Sequence, residues 1–133
     1  LLWSYTASES TSVPPESCYP GDEFVDIVGQ DIYDDDVNIS GYDRLVTLPK
    51  PFCLGEFGPS QKPSSLDGSY DFRKLLHALK NHYPKVTSWK SWVSVPNRTG
   101  NVVCYALMSN RGVEELMNDP WIVTRDTLDW RKA

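Results

Sequence analysis

Glu56 stands at the end of a short apolar run, Phe52-Cys53-Leu54-Gly55, which Lys50-Pro51 leads into and Phe57-Gly58-Pro59 closes. Such a run reads as a buried strand whose last residue meets solvent. A carboxylate placed there stands where a catalytic acid would; the plainer alternative is a strand-end Glu in water, since Glu is rarely kept buried without a partner. Asp31 and Tyr33 close a second apolar stretch, Phe24-Val25-Asp26-Ile27-Val28-Gly29-Gln30-Asp31-Ile32-Tyr33. A tyrosine two residues after an aspartate, on a strand next to the one that carries Glu56, is hard to assign to core packing alone.

The elements that must position these groups follow from hydrophobic patterning. The stretch 24–33 is β-branched and nearly continuously apolar, as strands covered on both faces are in parallel sheets. Residues 1–5 and 86–95 alternate as strands, and 40–48 predict a short helix with Leu45 and Leu48 inward. Phe72, Leu75, Leu76, Leu79 and Tyr83 follow the i, i+3, i+4, i+7 stripe of a helix over 70–83, with Asp71 at its start, Lys80 and His82 at its end and Pro84 beyond. A short amphipathic helix is expected over 113–117 and a last strand-to-helix segment over 121–130. Four strands alternating with helices predict a parallel α/β sheet. In such folds chemistry gathers at the carboxyl ends of the strands, where Tyr5, Asp31, Tyr33, Glu56 and Trp92 fall.

Composition removes several function classes. The 133 residues carry a net charge of −5, and without a basic cluster they offer no electrostatic footprint for nucleic acid or an anionic membrane. No apolar run approaches the roughly 18 residues of a membrane span. Cys18, Cys53 and Cys104 have neither CxxC spacing nor a His partner, so neither a metal nor another cofactor is expected. Cys53 reads as a buried thiol, and a Cys18–Cys104 pair stays open. The run Asp34-Asp35-Asp36 lacks Ca²⁺-loop spacing and reads as a solvated loop; His77 and His82 read as surface or structural. Two acceptor triplets for N-glycosylation, Asn38-Ile39-Ser40 and Asn97-Arg98-Thr99, suit a secreted protein. The opening on Leu1-Leu2-Trp3-Ser4-Tyr5, without Met or a leader, predicts that the natural chain continues N-terminally.

Together the stretch 19–33 and Lys50-Pro51-Phe52-Cys53-Leu54-Gly55-Glu56-Phe57-Gly58, about twenty residues further on, resemble the sixth and seventh strands of the family 26 glycoside hydrolases, the β-mannanases. Leu1 to Tyr5 is similar to the fifth strand, Val86 to Trp92 to the eighth, and 117–126 to the closing segment. The resemblance implies that residues 1–133 are a partial catalytic domain, the C-terminal half (strands 5–8) of a (β/α)₈ barrel. Glu56 then matches the nucleophile, Tyr33 the tyrosine that orients it and Asp31 its polar neighbour. Trp92, ahead of Trp89, matches the aromatic floor under the sugar, with Trp3 a weaker member of that wall.

These residue types suit the chemistry implied. A retaining glycosidase uses one ionised carboxylate to attack the anomeric carbon and one carboxylic acid to protonate the leaving oxygen. The family's acid, a Glu ending the fourth strand, has no counterpart in 1–133. The expectation is therefore a secreted retaining endo-β-1,4-mannanase acting on mannan, glucomannan or galactomannan, whose isolated C-terminal half is inactive. Another β-glycanase of the same clan, such as a lichenase or β-1,3-xylanase, and a non-catalytic carbohydrate-binding fragment are the alternatives.

Overall fold

A computed structural model describes residues 1–9, 12–60, 62, 66–129 and 131. Its centre is a parallel sheet in the order β1 (Ser4–Ala7), β2 (Ile27–Tyr33), β3 (Phe52–Gly58) and β4 (Val86–Ser91). Helices α1 (Tyr42–Leu45) and α2 (Arg73–Asn81) follow β2 and β3, and α3 (Val113–Met117) packs with α2. All strands run one way, so their carboxyl ends form one edge.

The core lies between one sheet face and the helices. Val28 and Ile32 of β2, Phe52, Leu54 and Phe57 of β3 and Val86 of β4 meet Leu45, Leu75, Leu79 and Leu116. The stripe expected for 70–83 is the buried one: Phe72 and Leu75 have no exposed surface and Leu79 almost none, although the helix itself is shorter. Phe57→Ala is expected to cost about 3–5 kcal/mol, the range for emptying a fully buried aromatic site, which chemical denaturation would register as a lower midpoint at unchanged slope.

Strand β3 contains an irregularity on which the geometry turns. Gln30 stands opposite Leu54 and Asp31 opposite Glu56, so Gly55 is an extra residue, a β-bulge. Plain alternation would place Glu56 on the same side as Phe52 and Leu54, in the core. With the bulge, Leu54 and Phe57 both face the helices, and Glu56 shares the other face with Cys53, Asp31 and Tyr33. Only glycine fits at the bulge, because a Cβ there would lie 2.3 Å from Thr6 Cγ2 and 2.8 Å from Asp31 Oδ1.

Several expectations need correction. The first strand begins at Ser4, and Asp22–Phe24 is a 3₁₀ turn ahead of β2 rather than part of it. The strand expected over 86–95 stops at Ser91, because the Ser91 hydroxyl accepts the Leu107 N–H and the Ser94 hydroxyl that of Ala106, drawing the chain aside. A two-stranded antiparallel hairpin, β5 (Val95–Pro96) and β6 (Val102–Val103), follows around the turn at 97–101. The described residues beyond 121 form turns instead of a strand and helix: Asp119 accepts from the Trp121 and Ile122 N–H groups, and Thr127 donates back to Thr124 O. Trp130 lies outside the described residues.

Cys18, Cys53 and Cys104 are all free. Cys18 closes a 3₁₀ turn that packs on α1, whereas Cys104 follows β6 and donates its N–H to Leu66 O, so the Cys18–Cys104 pair does not form. Among the described residues no helix is long and apolar enough to cross a membrane, and no cluster of His, Cys, Asp and Glu has a metal-holding arrangement.

Candidate active site

Asp31, Tyr33 and Glu56 meet at the carboxyl ends of β2 and β3. The Tyr33 hydroxyl donates to Glu56 Oε2 at 2.8 Å, and Asp31 stands directly opposite Glu56 in the strand register. Together with Ser8 and Glu9 they line a groove of about 490 Å³. Burial, and then the bond to Glu56, push the Tyr33 phenol well above its ordinary value, so it stays a neutral donor at every working pH.

Glu9 was invisible to the sequence patterns and its role follows from strand bookkeeping. Ile27 donates to Trp3 O and Val28 to Pro51 O, so the odd residues of β2 bond toward β1 and the even ones toward β3. Strand β1 ends at Ala7, opposite Gln30. The Tyr33 N–H therefore has no strand partner on that side, and the Glu9 carboxylate accepts it instead; burial and Asp34 raise the Glu9 carboxyl against this bond. A second tie comes from the acidic run: Asp35 accepts from Ser60 N at 2.9 Å and Ser60 Oγ at 2.8 Å, joining the loops that follow β2 and β3.

Asp31 is the strained member of the group. Burial, followed by the neighbouring Glu56, pushes its carboxyl up, while Lys90 and the Glu56 backbone N–H pull it down. Its Oδ1 is buried without a protein partner. A carboxyl whose value rises on folding binds its proton more tightly in the native chain, so its favourable contribution is complete below the unfolded value near 4 and is lost as pH rises through the folded value. Asp31→Asn is accordingly expected to raise the denaturation midpoint at pH 7 and to leave it unchanged near pH 3, which a pH series of unfolding curves would show.

The tryptophans separate. Trp92 donates its backbone N–H to Phe57 O, and the Lys90 ammonium lies 5.3 Å from its ring centroid, a cation–π contact beside the groove. Ser88, opposite Cys53, shows that even residues of β4 share the Glu56 face, so the alternation Ser88, Lys90, Trp92 carries Lys90 there too. Trp89 turns to the helix side and packs against the core. Trp3 precedes β1, with its carbonyl at the start of β2, and is 67% exposed. Four strand residues, roughly 13 Å of rise, separate it from the groove end, so the fold does not bring it to Glu56.

One further aromatic, Tyr105, was missed because it lies in an aperiodic segment. Its ring meets Tyr33 edge to face, centroids 5.5 Å apart and planes at 81°. Gly58 makes room for both rings, since a Cβ there would come within 3.1 Å of each.

The profile of glycosyl hydrolase family 26 matches residues 1–127. The chain is 34% identical over 135 residues to mannan endo-1,4-beta-mannosidase A and B of Caldalkalibacillus mannanilyticus, covering 100% of this chain and 24% of that protein. It is 32% identical over 126 residues to the mannan endo-1,4-beta-mannosidase of Bacillus subtilis, covering 94% of this chain and 31% of that one. A solved B. subtilis mannanase superposes with a TM-score of 0.72 at 32% identity over 96% of this chain and 36% of the other. A family 26 enzyme from Muricauda gives 0.56 at 26% identity, over 97% and 38%. The chain thus spans between a quarter and a third of the length of these curated relatives. A parallel sheet with helices on one face, a carboxylate and its phenol at the strand ends, and a profile match along nearly the full length lead to one assignment: the chain belongs to glycosyl hydrolase family 26.

Proposed function

We propose that residues 1–133 are strands five to eight of a (β/α)₈ catalytic domain that hydrolyses β-1,4-mannan with retention, with Glu56 as nucleophile. The observation that carries this reading is the 2.8 Å hydrogen bond from Tyr33 to Glu56 at the ends of adjacent parallel strands. Glu56 attacks the anomeric carbon, the glycosidic C–O bond breaks, and a carboxylic acid from the domain beyond these residues protonates the departing oxygen. Water then releases the sugar from Glu56. Tyr33 holds one carboxylate oxygen so that the other faces the sugar, and the Trp92 ring supplies apolar area to the C–H face of the pyranose. Asp31 and Lys90 set the local charge.

The mannanase activity named for the relatives supports mannan as substrate. A polymer of this size is met outside the cell, which suits the extracellular location that Asn38 and Asn97 suggest. The test is reducing-end release from soluble galactomannan, with lichenan and β-1,3-xylan as comparisons, by this chain and by the same chain extended through the remainder of the barrel. Activity on galactomannan in the extended form alone is expected. Preference for another glycan would replace the substrate, and binding without cleavage in the extended form would replace the enzyme by a carbohydrate-binding module.

A further inference from the structure

We propose that the hollow between the β5–β6 hairpin and the loop at Leu66-Asp67 is a saccharide subsite that continues the Glu56 groove and takes a further neutral hexose of the polymer; this rests on the glycanase reading above. Continuity comes from one pair of rings. Tyr33 is a wall of the groove, Tyr105 is a wall of the hollow, and the two pack edge to face at 5.5 Å. A chain lying over Glu56 and leaving past Tyr33 enters the hollow directly.

The hollow is built, not incidental. Asn110 brackets Tyr105 by donating to Cys104 O at 2.8 Å and Ala106 O at 2.9 Å. The Cys104 N–H reaches Leu66 O at 3.0 Å and so joins the two walls. The hairpin turn is locked by Asn97 Oδ1, which accepts from the Thr99 N–H, the Thr99 hydroxyl and the Asn101 N–H. A wall fixed in advance loses little entropy when it meets a ligand.

Its chemistry matches a pyranose. In about 460 Å³, the Tyr105 ring and the side chains of Val102, Val103 and Leu66 offer apolar surface, while Asn97, Asn101 and Asp67 offer polar groups. A pyranose presents the same mixture, C–H faces bounded by hydroxyls. With its oxygen already engaged, Asn97 offers a ligand its N–H donors. Bonds from Ser69 and the charge of Arg111 hold the Asp67 carboxyl below its ordinary value. It therefore accepts from hydroxyls and repels a uronic acid.

The experiment compares kcat/KM on a β-1,4-linked hexasaccharide with that on the shortest aryl β-mannoside the extended enzyme cleaves. Asn101→Ala and Tyr105→Ala are expected to lower the first about tenfold, the effect of one lost stacking or hydrogen-bonding contact of roughly 1.4 kcal/mol, mainly through KM, and to change the second less than twofold. Calorimetry of the hexasaccharide on Glu56→Ala enzyme, with and without Asn101→Ala, reads the same loss as affinity without turnover. Equal losses on both substrates for Tyr105→Ala, or an unchanged hexasaccharide for Asn101→Ala, would overturn the subsite, since Asn101 does not touch Tyr33. Should the enzyme prefer another β-glycan, the same ratio on that glycan still decides the subsite, while the mannan reading alone fails.

Discussion

Replacing Glu56 with alanine in the extended enzyme is expected to lower kcat on β-mannan roughly 10⁴- to 10⁶-fold, the scale on which loss of a covalent nucleophile acts, with the unfolding midpoint little changed. The side chain faces away from the core and its bonded partner is the Tyr33 phenol, so its removal opens space on the groove side only. Azide, small enough to enter that space, attacks the anomeric carbon from the face Glu56 used, the glycosidic bond breaks and the upstream acid protonates the leaving oxygen. Cleavage of an activated aryl mannoside should therefore return in part, with an inverted glycosyl azide as product. A Glu56→Ala enzyme within tenfold of the normal rate would remove Glu56 from the mechanism.

Tyr33→Phe is expected to lower kcat/KM about 10- to 100-fold, because a hydrogen bond to a charged group contributes roughly 1.5–3 kcal/mol, and to move the acid limb of the pH–rate profile upward. The sign follows from the bond: the phenol donates to the ionised carboxylate, so without it the reactive form is populated only at higher pH. The ring, and with it the edge-to-face contact to Tyr105, is retained, which separates the lost hydroxyl from lost packing. A profile that falls in height without moving would leave Tyr33 as a spacer between Glu56 and the hairpin.

The two central strands, the α2 stripe and the trio Asp31, Tyr33 and Glu56 were legible because each is a local pattern: continuous apolar runs, a helical period, polar residues at strand ends. What was not legible depends on distant partners. The side of the sheet on which Glu56 emerges is decided by the bulge at Gly55, which exists because Thr6 and Asp31 crowd that position. Glu9 matters because β1 ends early relative to β2. Trp3 and Trp121 carry the same aromatic signal as Trp92, yet one precedes its strand and the other follows α3 in a turn region capped by Asp119. Lys90 could have been read from its spacing to Trp92; Tyr105 could not, since its position depends on Asn110 and on the serine hydroxyls that bend the chain after β4.

The extra residue at Gly55 also divides β3 into two halves that can vary separately. Phe52 and Leu54 answer to the helices, whereas Glu56 and Gly58 answer to Tyr33 and Tyr105. A change of apolar side chain before the bulge alters how firmly the domain is held together without re-aiming the carboxylate. Stabilising substitutions are therefore best sought at 52 and 54, and changes of substrate preference beyond 58.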